Sequence, residues 1–250
     1  LEPGVTKHVP LLNPDLPRGL RKMGKILMVL TSNDAMGKMP DRKTGLWIEE
    51  LAAPYYAFKG AGHAVTLASP AGGTPPIDAG SKGEGFYTAD CKKFMEEDEE
   101  AKKAFASTVK LSECDMANFD AIFYPGGHGP LWDLVTDAKS ISLIEAADAA
   151  GKPIGAVCHG PCVFKNVKGK GGDSILKGKK CTGFTNVEEG QVQLTEWVPF
   201  LLEDSMKENG GIFSCKDPWN SYVQSDGNLV TGQNPQSSPE CAKELLKLIK

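Results

Sequence analysis

Cys158 and His159 stand next to each other in this chain, at the end of the apolar run Ile154-Gly-Ala-Val157 and before Gly160-Pro161. The run reads as a short buried parallel strand. A small residue two positions before the cysteine (Ala156) and a glycine two after it (Gly160) permit a sharp strand-to-helix turn. Such an elbow lifts one side chain above the sheet edge in a strained backbone pose. A helix N-terminus just beyond it favours the thiolate, because the helix dipole is positive there. The chemistry on offer is attack by sulfur, with an imidazole moving the proton. A buried structural cysteine at a strand end is the competing reading, since free cysteine is often buried.

Carboxylates and a second histidine lie elsewhere. Thr44 is placed to cap a helix over residues 45–59 whose apolar stripe is Trp47, Ile48, Leu51, Tyr55 and Phe58. Glu49 falls on the solvated side. Glu50 falls at the flank of the stripe, where partial desolvation would raise its pKa; a surface glutamate at the helix shoulder is the alternative. Pro125-Gly-Gly-His-Gly-Pro130 follows another apolar run, and its glycines let backbone N–H groups approach a substrate. His128 in that loop reads as either a ligand contact or a turn residue. Thr185-Asn-Val-Glu-Glu opens a helix, and Glu188 and Glu189 fall in its first turn, where acids commonly sit. His63 begins a strand, far from the catalytic edge, and reads as structural.

The elements needed to hold these residues alternate between strand and helix. Apolar runs at 24–30, 63–69 and 119–124 precede the one ending at Cys158. Helices are expected at 45–59, 92–108, 137–150, 197–208 and 239–250, a hairpin turns on Asp226-Gly227, and a short strand lies at 211–215. This order implies an α/β fold, flavodoxin-like, with a mostly parallel sheet and helices on both faces. Residues 1–23, with Pro3, Pro10, Pro14 and Pro17, are expected as an extended arm, and 24–250 as a single domain.

Composition narrows the function classes. The net charge of −4 and the mixing of lysines with acids leave no basic stripe for nucleic acid. No apolar run reaches the roughly 18 residues that span a bilayer. Seven cysteines, none in a C-x-x-C pair, and four histidines without zinc-ligand spacing point to a reduced intracellular protein with no metal and no cofactor. A cytoplasmic place is expected, with an organelle as the alternative because the sequence opens at Leu1.

The elbow, the Pro125-Gly-Gly-His-Gly loop and Lys43-Thr-Gly-Leu-Trp-Ile-Glu-Glu50 occur together with Thr182-Gly-Phe-Thr-Asn-Val-Glu-Glu189, Asp217-Pro-Trp-Asn-Ser-Tyr222 and Leu229-Val-Thr-Gly-Gln-Asn-Pro235. In this set the chain resembles the ThiJ/PfpI superfamily, with its class I glutamine amidotransferase-like fold, and within it the branch of glyoxalase III enzymes and heat-inducible chaperones. The resemblance spans about residues 24–249. It implies Cys158 as nucleophile, His159 beside it, Glu189 as the acid of the triad with Glu188 as a near competitor, and Glu50 against the thiol. It further implies oxyanion donors at the backbone of Gly127 and His159, and His128, Trp219, Asn234 and Pro235 around the pocket. The activity implied is glutathione-independent conversion of methylglyoxal, a small dicarbonyl, to lactate through a Cys158 hemithioacetal, in a homodimer. The alternatives are a cysteine hydrolase acting as deglycase or peptidase, and a holdase chaperone or thiol stress sensor.

Overall fold

Residues 23–249 are described by a computed structural model of the chain. In order, the elements are β1 (Lys25–Val29), β2 (Ala35–Met36), β3 (Met39–Lys43), α1 (Ile48–Gly60), β4 (Ala64–Ser69), α2 (Ala89–Lys92), α3 (Glu99–Ala106), β5 (Val109–Lys110), β6 (Ala121–Tyr124), α4 (Ala138–Ala149) and β7 (Ile154–Val157). Then come β8 (Lys180–Cys181), α5 (Asn186–Gln191), α6 (Leu202–Glu208), β9 (Ile212–Phe213), β10 (Val223–Asp226), β11 (Leu229–Gly232) and α7 (Ser238–Leu248). The expected Pro-rich arm lies, but for Met23, outside the described residues.

Among the described residues, seven strands form one sheet in the order β10-β11-β7-β6-β1-β4-β5. Every pairing in it is parallel except that of β10 with β11, which is the hairpin expected at Asp226-Gly227. Continuous apolar runs suit strands buried on both faces, and β6 and β7 are buried at every position. Met28 stands opposite Leu67 on one side and Phe123 on the other. Helices cover both faces, as expected for this flavodoxin-like α/β architecture; α1 packs on α7, and α4 on β6 and β7. The chain runs outward from β1 to β4 and β5, then returns to β6 and β7. This reversal opens a crevice at the carboxyl ends of β1, β6 and β7, the usual binding edge of such sheets.

Several local expectations are corrected. The helix expected from residue 45 starts at Ile48, and Thr44 does not cap it; its hydroxyl donates to Asp78 Oδ2 at 3.0 Å. Trp47 occupies the cap position, fixed instead by its N–H to the Gly126 carbonyl at 3.3 Å. The charge-dense stretch 92–108 is not one helix. Asp98 adopts extended backbone and caps α3 by accepting the Ala101 N–H, so a strong cap inside the run divides it. The helix expected from 197 begins only at Leu202; Pro199 disfavours helical backbone at the residue before it. The loop after β1 holds the small hairpin β2–β3.

Candidate active site

Cys158 is held in the left-handed region, with φ +59°, by backbone bonds on both sides. Its N–H donates to the Gly232 carbonyl at the end of β11, and its carbonyl accepts the Phe184 N–H, each at 3.0 Å. Because β7 lies between β6 and β11, the elbow stands in the interior of the sheet edge. Gly160 must be small there: a Cβ would come within 2.4 Å of the Tyr124 carbonyl. The segment after the elbow is a 3-10 turn over Gly160–Phe164, not the α-helix expected, so the dipole available to the thiol is that of a single short turn.

The imidazole of His159 places Nδ1 3.5 Å from Cys158 Sγ. Its Nε2 meets Glu189 Oε2 at 2.6 Å. Glu189, not Glu188, is therefore the carboxylate that α5 turns toward His159. Its other oxygen, Oε1, meets His128 Nε2 at 2.9 Å, so one carboxylate serves two imidazoles whose ring centres are 4.1 Å apart. Phe184 packs against the His159 ring, with ring centres 4.4 Å apart. Burial alone would raise the Glu189 carboxyl, but the charges of and hydrogen bonds from His159 and His128 outweigh it and hold it well below the usual carboxylate range. An ionised Glu189 accepting Nε2–H leaves His159 Nδ1 free to accept the thiol proton. Burial, helped by the neighbouring His128, lowers the His159 pKa, which keeps the ring neutral and its Nδ1 lone pair available.

Glu50 lies in the first turn of α1 and is fully buried, not partly desolvated as its place on the stripe suggested. Oε2 accepts the Gly126 N–H at 2.7 Å, while Oε1 has no hydrogen-bond partner at its buried position. Burial is the main reason its carboxyl is pushed up to about 8; contact with Cys158 and the backbone of Gly126 and Gly127 oppose the rise. Glu49 is not freely solvated either: it accepts from the Thr88 hydroxyl at 2.5 Å and the Cys91 thiol at 3.3 Å. The thiol itself corrects an expectation. Burial first, then the charge of Glu50, pushes Cys158 well above the ordinary thiol range, where a lowered value was expected from the elbow. At neutral pH the resting pair is a thiol beside a protonated or nearly protonated carboxyl.

A small cavity of about 30 Å³ opens on the sulfur. Gly127, His128, Cys158 and His159 line one side of it, and Trp47, Phe184, Val192, Trp219 and Pro235 line the rest. Gly127 keeps φ +81° there, and a Cβ on it would strike the Gly45 carbonyl at 2.4 Å. Asn234 was expected at the pocket but does not line it; its amide donates to Glu188 Oε1 at 2.8 Å and to the Asn220 carbonyl at 2.9 Å. Glu188, the competitor for the third place, is turned away from His159 and completes a capping box with Thr185. His63 accepts the Gly24 N–H, as befits a structural residue.

Sequence spacing missed that His128, 61 residues before Glu189, shares its carboxylate. It also missed that a metal-competent donor set exists: His128, His159 and Glu189 bring their ligand atoms within 4.8 Å of one another. In the present arrangement each Nε2 is spent on a carboxylate oxygen. Trp47 was read as part of the apolar stripe of α1 and Phe184 stood only within a motif; nothing in the spacing of either marks it as a cavity wall.

Comparison with known proteins adds independent findings. The model of the DJ-1/PfpI family matches residues 48–248. Glyoxalase 3 of Candida albicans is 30% identical over 231 residues, which cover 90% of this chain and 98% of that one. The glutathione-independent glyoxalase HSP31 of Saccharomyces cerevisiae is 29% identical, with coverage of 90% and 98%. Among solved structures, the 24 kDa rapid encystment protein of Francisella tularensis superposes with a TM-score of 0.86 at 38% identity, covering 91% of this chain and 100% of that one.

Proposed function

From the premise that this chain belongs to the DJ-1/PfpI family, we propose that it is a glutathione-independent glyoxalase that converts methylglyoxal to lactate. The observation that carries the reading is the buried constellation of Cys158 Sγ, His159 Nδ1 at 3.5 Å, Glu189 behind His159 at 2.6 Å, and Glu50 beside the thiol.

The resting thiol is neutral, so it needs a base at the moment of attack. His159 Nδ1 takes the proton as sulfur bonds to the aldehyde carbon, and ionised Glu189 stabilises the imidazolium. The backbone N–H groups of Gly127 and His159 are the donors for the developing oxyanion. His159 returns its proton to that oxygen, which gives the hemithioacetal CH3–CO–CH(OH)–S–Cys158. A base next removes the proton from the former aldehyde carbon while the neighbouring carbonyl oxygen gains one, forming an enediol. The same base then delivers its proton to the second carbon, the hydroxyl on the first loses its own, and a lactoyl thioester remains. Glu50, with a pKa of about 8, can hold or release a proton near neutral pH and suits this transfer. Water cleaves the thioester, restoring the thiol and releasing lactate. The enzyme's own sulfur does what glutathione's would.

Two observations weigh against the alternatives. A roofed cavity of about 30 Å³ admits a few atoms and not a peptide, which disfavours the peptidase. A thiol pushed upward is a poor oxidation sensor, because oxidants react with the thiolate. The substrate is a small molecule, and no helix among the described residues is long and apolar enough to cross a membrane. A homodimer belongs to the reading, and sedimentation velocity measures it directly. The deciding experiment mixes purified protein with methylglyoxal in the absence of glutathione. Lactate should form with the wild type and not with Cys158→Ala; equal rates from both would remove the mechanism.

A further inference from the structure

Glu188 is a buried carboxylate that the reaction does not use, and it gathers five donors. Oε2 accepts the Thr185 N–H at 3.0 Å and the Thr185 hydroxyl at 2.9 Å. Oε1 accepts the Trp219 N–H at 2.9 Å, the Gln233 amide at 3.1 Å and the Asn234 amide at 2.8 Å. No lysine, arginine or histidine pairs with it among the described ion pairs, so its charge is spread over these bonds alone.

The donor of most consequence is Trp219. Its backbone lies in the left-handed region, φ +64°, which a tryptophan adopts only when its surroundings hold it there. Glu188 holds the backbone end. Gln191 holds the other, accepting the indole Nε1–H at 2.6 Å. Both anchors sit on α5, the helix that also carries Glu189. The indole forms one wall of the cavity on Cys158 and rests edge-on against Phe184, with ring centres 5.7 Å apart. Phe184 in turn packs on His159. One helix thus orients the acid of the triad and pins the wall that faces it.

We propose that Trp219, positioned by Glu188 and Gln191, is the size gate of the site, restricting it to α-oxoaldehydes whose substituent is a hydrogen or a single small alkyl group. A water needs roughly 10–15 Å³ of such space, so a cavity of about 30 Å³ takes a methyl group beside the dicarbonyl and no aryl ring. The walls are apolar, so what the gate excludes is bulk and not hydrophobicity. The substrate class named here rests on the glyoxalase reading; the gate itself does not.

The test compares glyoxal, methylglyoxal and phenylglyoxal as substrates of the wild type, Trp219→Ala, Gln191→Ala and Glu188→Gln. Gln191 is exposed, so its variant keeps the fold while freeing the indole. In Trp219→Ala the ratio of kcat/KM for phenylglyoxal to that for methylglyoxal should rise at least about tenfold, the scale on which apolar pockets discriminate by size. Gln191→Ala should move the ratio in the same direction by less. Glu188→Gln should raise it in the wild-type background and leave it unaltered once Trp219 is alanine, since its effect passes through the indole. A second readout needs no turnover: labelling of Cys158 by iodoacetamide and by N-phenylmaleimide, followed by peptide mass. The bulky reagent should gain on the small one in Trp219→Ala. If both ratios stay at their wild-type values in that variant, the gate is overturned. If the labelling ratio shifts while no protein turns over any dicarbonyl, the gate stands and the glyoxalase reading falls. Additive effects of Glu188→Gln and Trp219→Ala overturn the role given to Glu188.

Discussion

Replacing Glu50 by glutamine removes an ionisable carboxyl while keeping its shape and an oxygen for the Gly126 N–H. The carboxyl titrates at about 8 in the fold against 4.5 in a model peptide. That difference, about 3.5 units, corresponds to about 5 kcal/mol. The sign follows from burial, which favours the neutral form. Below pH 4.5 the group is protonated in both folded and unfolded chains and costs nothing. Between 4.5 and about 8 the unfolded chain gives up the proton while the folded one keeps it, so stability falls as pH rises; above about 8 the loss is complete. From pH 6 to 8 the wild type should therefore lose about 2 kcal/mol relative to Glu50→Gln. For a chain of this size that is a difference in Tm of about 4–9 °C. Thermal melts of both proteins at half-unit steps from pH 6 to 9, monitored by circular dichroism, read it directly. Titrating groups that do not touch Glu50 cancel in the difference, and measuring both proteins also as Cys158→Ser removes the coupled thiol. A Tm difference that stays flat across that range would refute the burial argument. On the mechanism proposed above the same variant lacks the group that moves the proton between carbons, and its kcat should fall about 10²–10⁴-fold.

Three further outcomes follow from the geometry. Glu189→Gln, measured by methylglyoxal turnover, should lower kcat about 10²–10⁴-fold with little change in KM, because the amide no longer fixes the His159 tautomer. Gly126→Ala should destabilise the protein by about 1–3 kcal/mol in urea unfolding, as a Cβ there would lie 2.7 Å from Glu50 Oε2, the His159 nitrogen and the Val157 carbonyl. Chelation with EDTA should leave turnover unchanged, whereas added Zn²⁺ should inhibit it reversibly: an ion bound by His128, His159 and Glu189 displaces the proton that His159 Nε2 gives to the carboxylate.

What could be read from the chain beforehand was local in origin. The apolar runs of β1, β6 and β7, the small residues around Cys158 and the Asp-Gly hairpin all act over a few neighbours, and each formed where expected. The helices opening at Thr185 and at Asp137 were legible for the same reason. What escaped depended on distant partners. Glu50 is fully buried because the Gly126 loop closes over it, 76 residues away. Thr44 abandons its helix for Asp78, and Asn234 leaves the pocket for Glu188. The direction of the Cys158 shift reversed because a local argument, the dipole of the following turn, was outweighed by burial and by a carboxyl from another element. Glu188 and Glu189 are adjacent and chemically alike; only the twist of α5 decides which reaches the imidazole and which the backbone N–H of Trp219.

The sheet order carries a consequence for synthesis. Strand β11, which flanks β7 and accepts the Cys158 N–H through Gly232, is the last strand among the described residues, and Trp219 lies just before its hairpin with β10. While the ribosome is still working, β7 has one open edge, the elbow lacks one of its two clamps and the sulfur has no roof. A nascent chain that has passed Cys158 but not Gly232 thus lacks the carbonyl that clamps the elbow, and the sulfur is held in place only once the hairpin of β10 and β11 has docked.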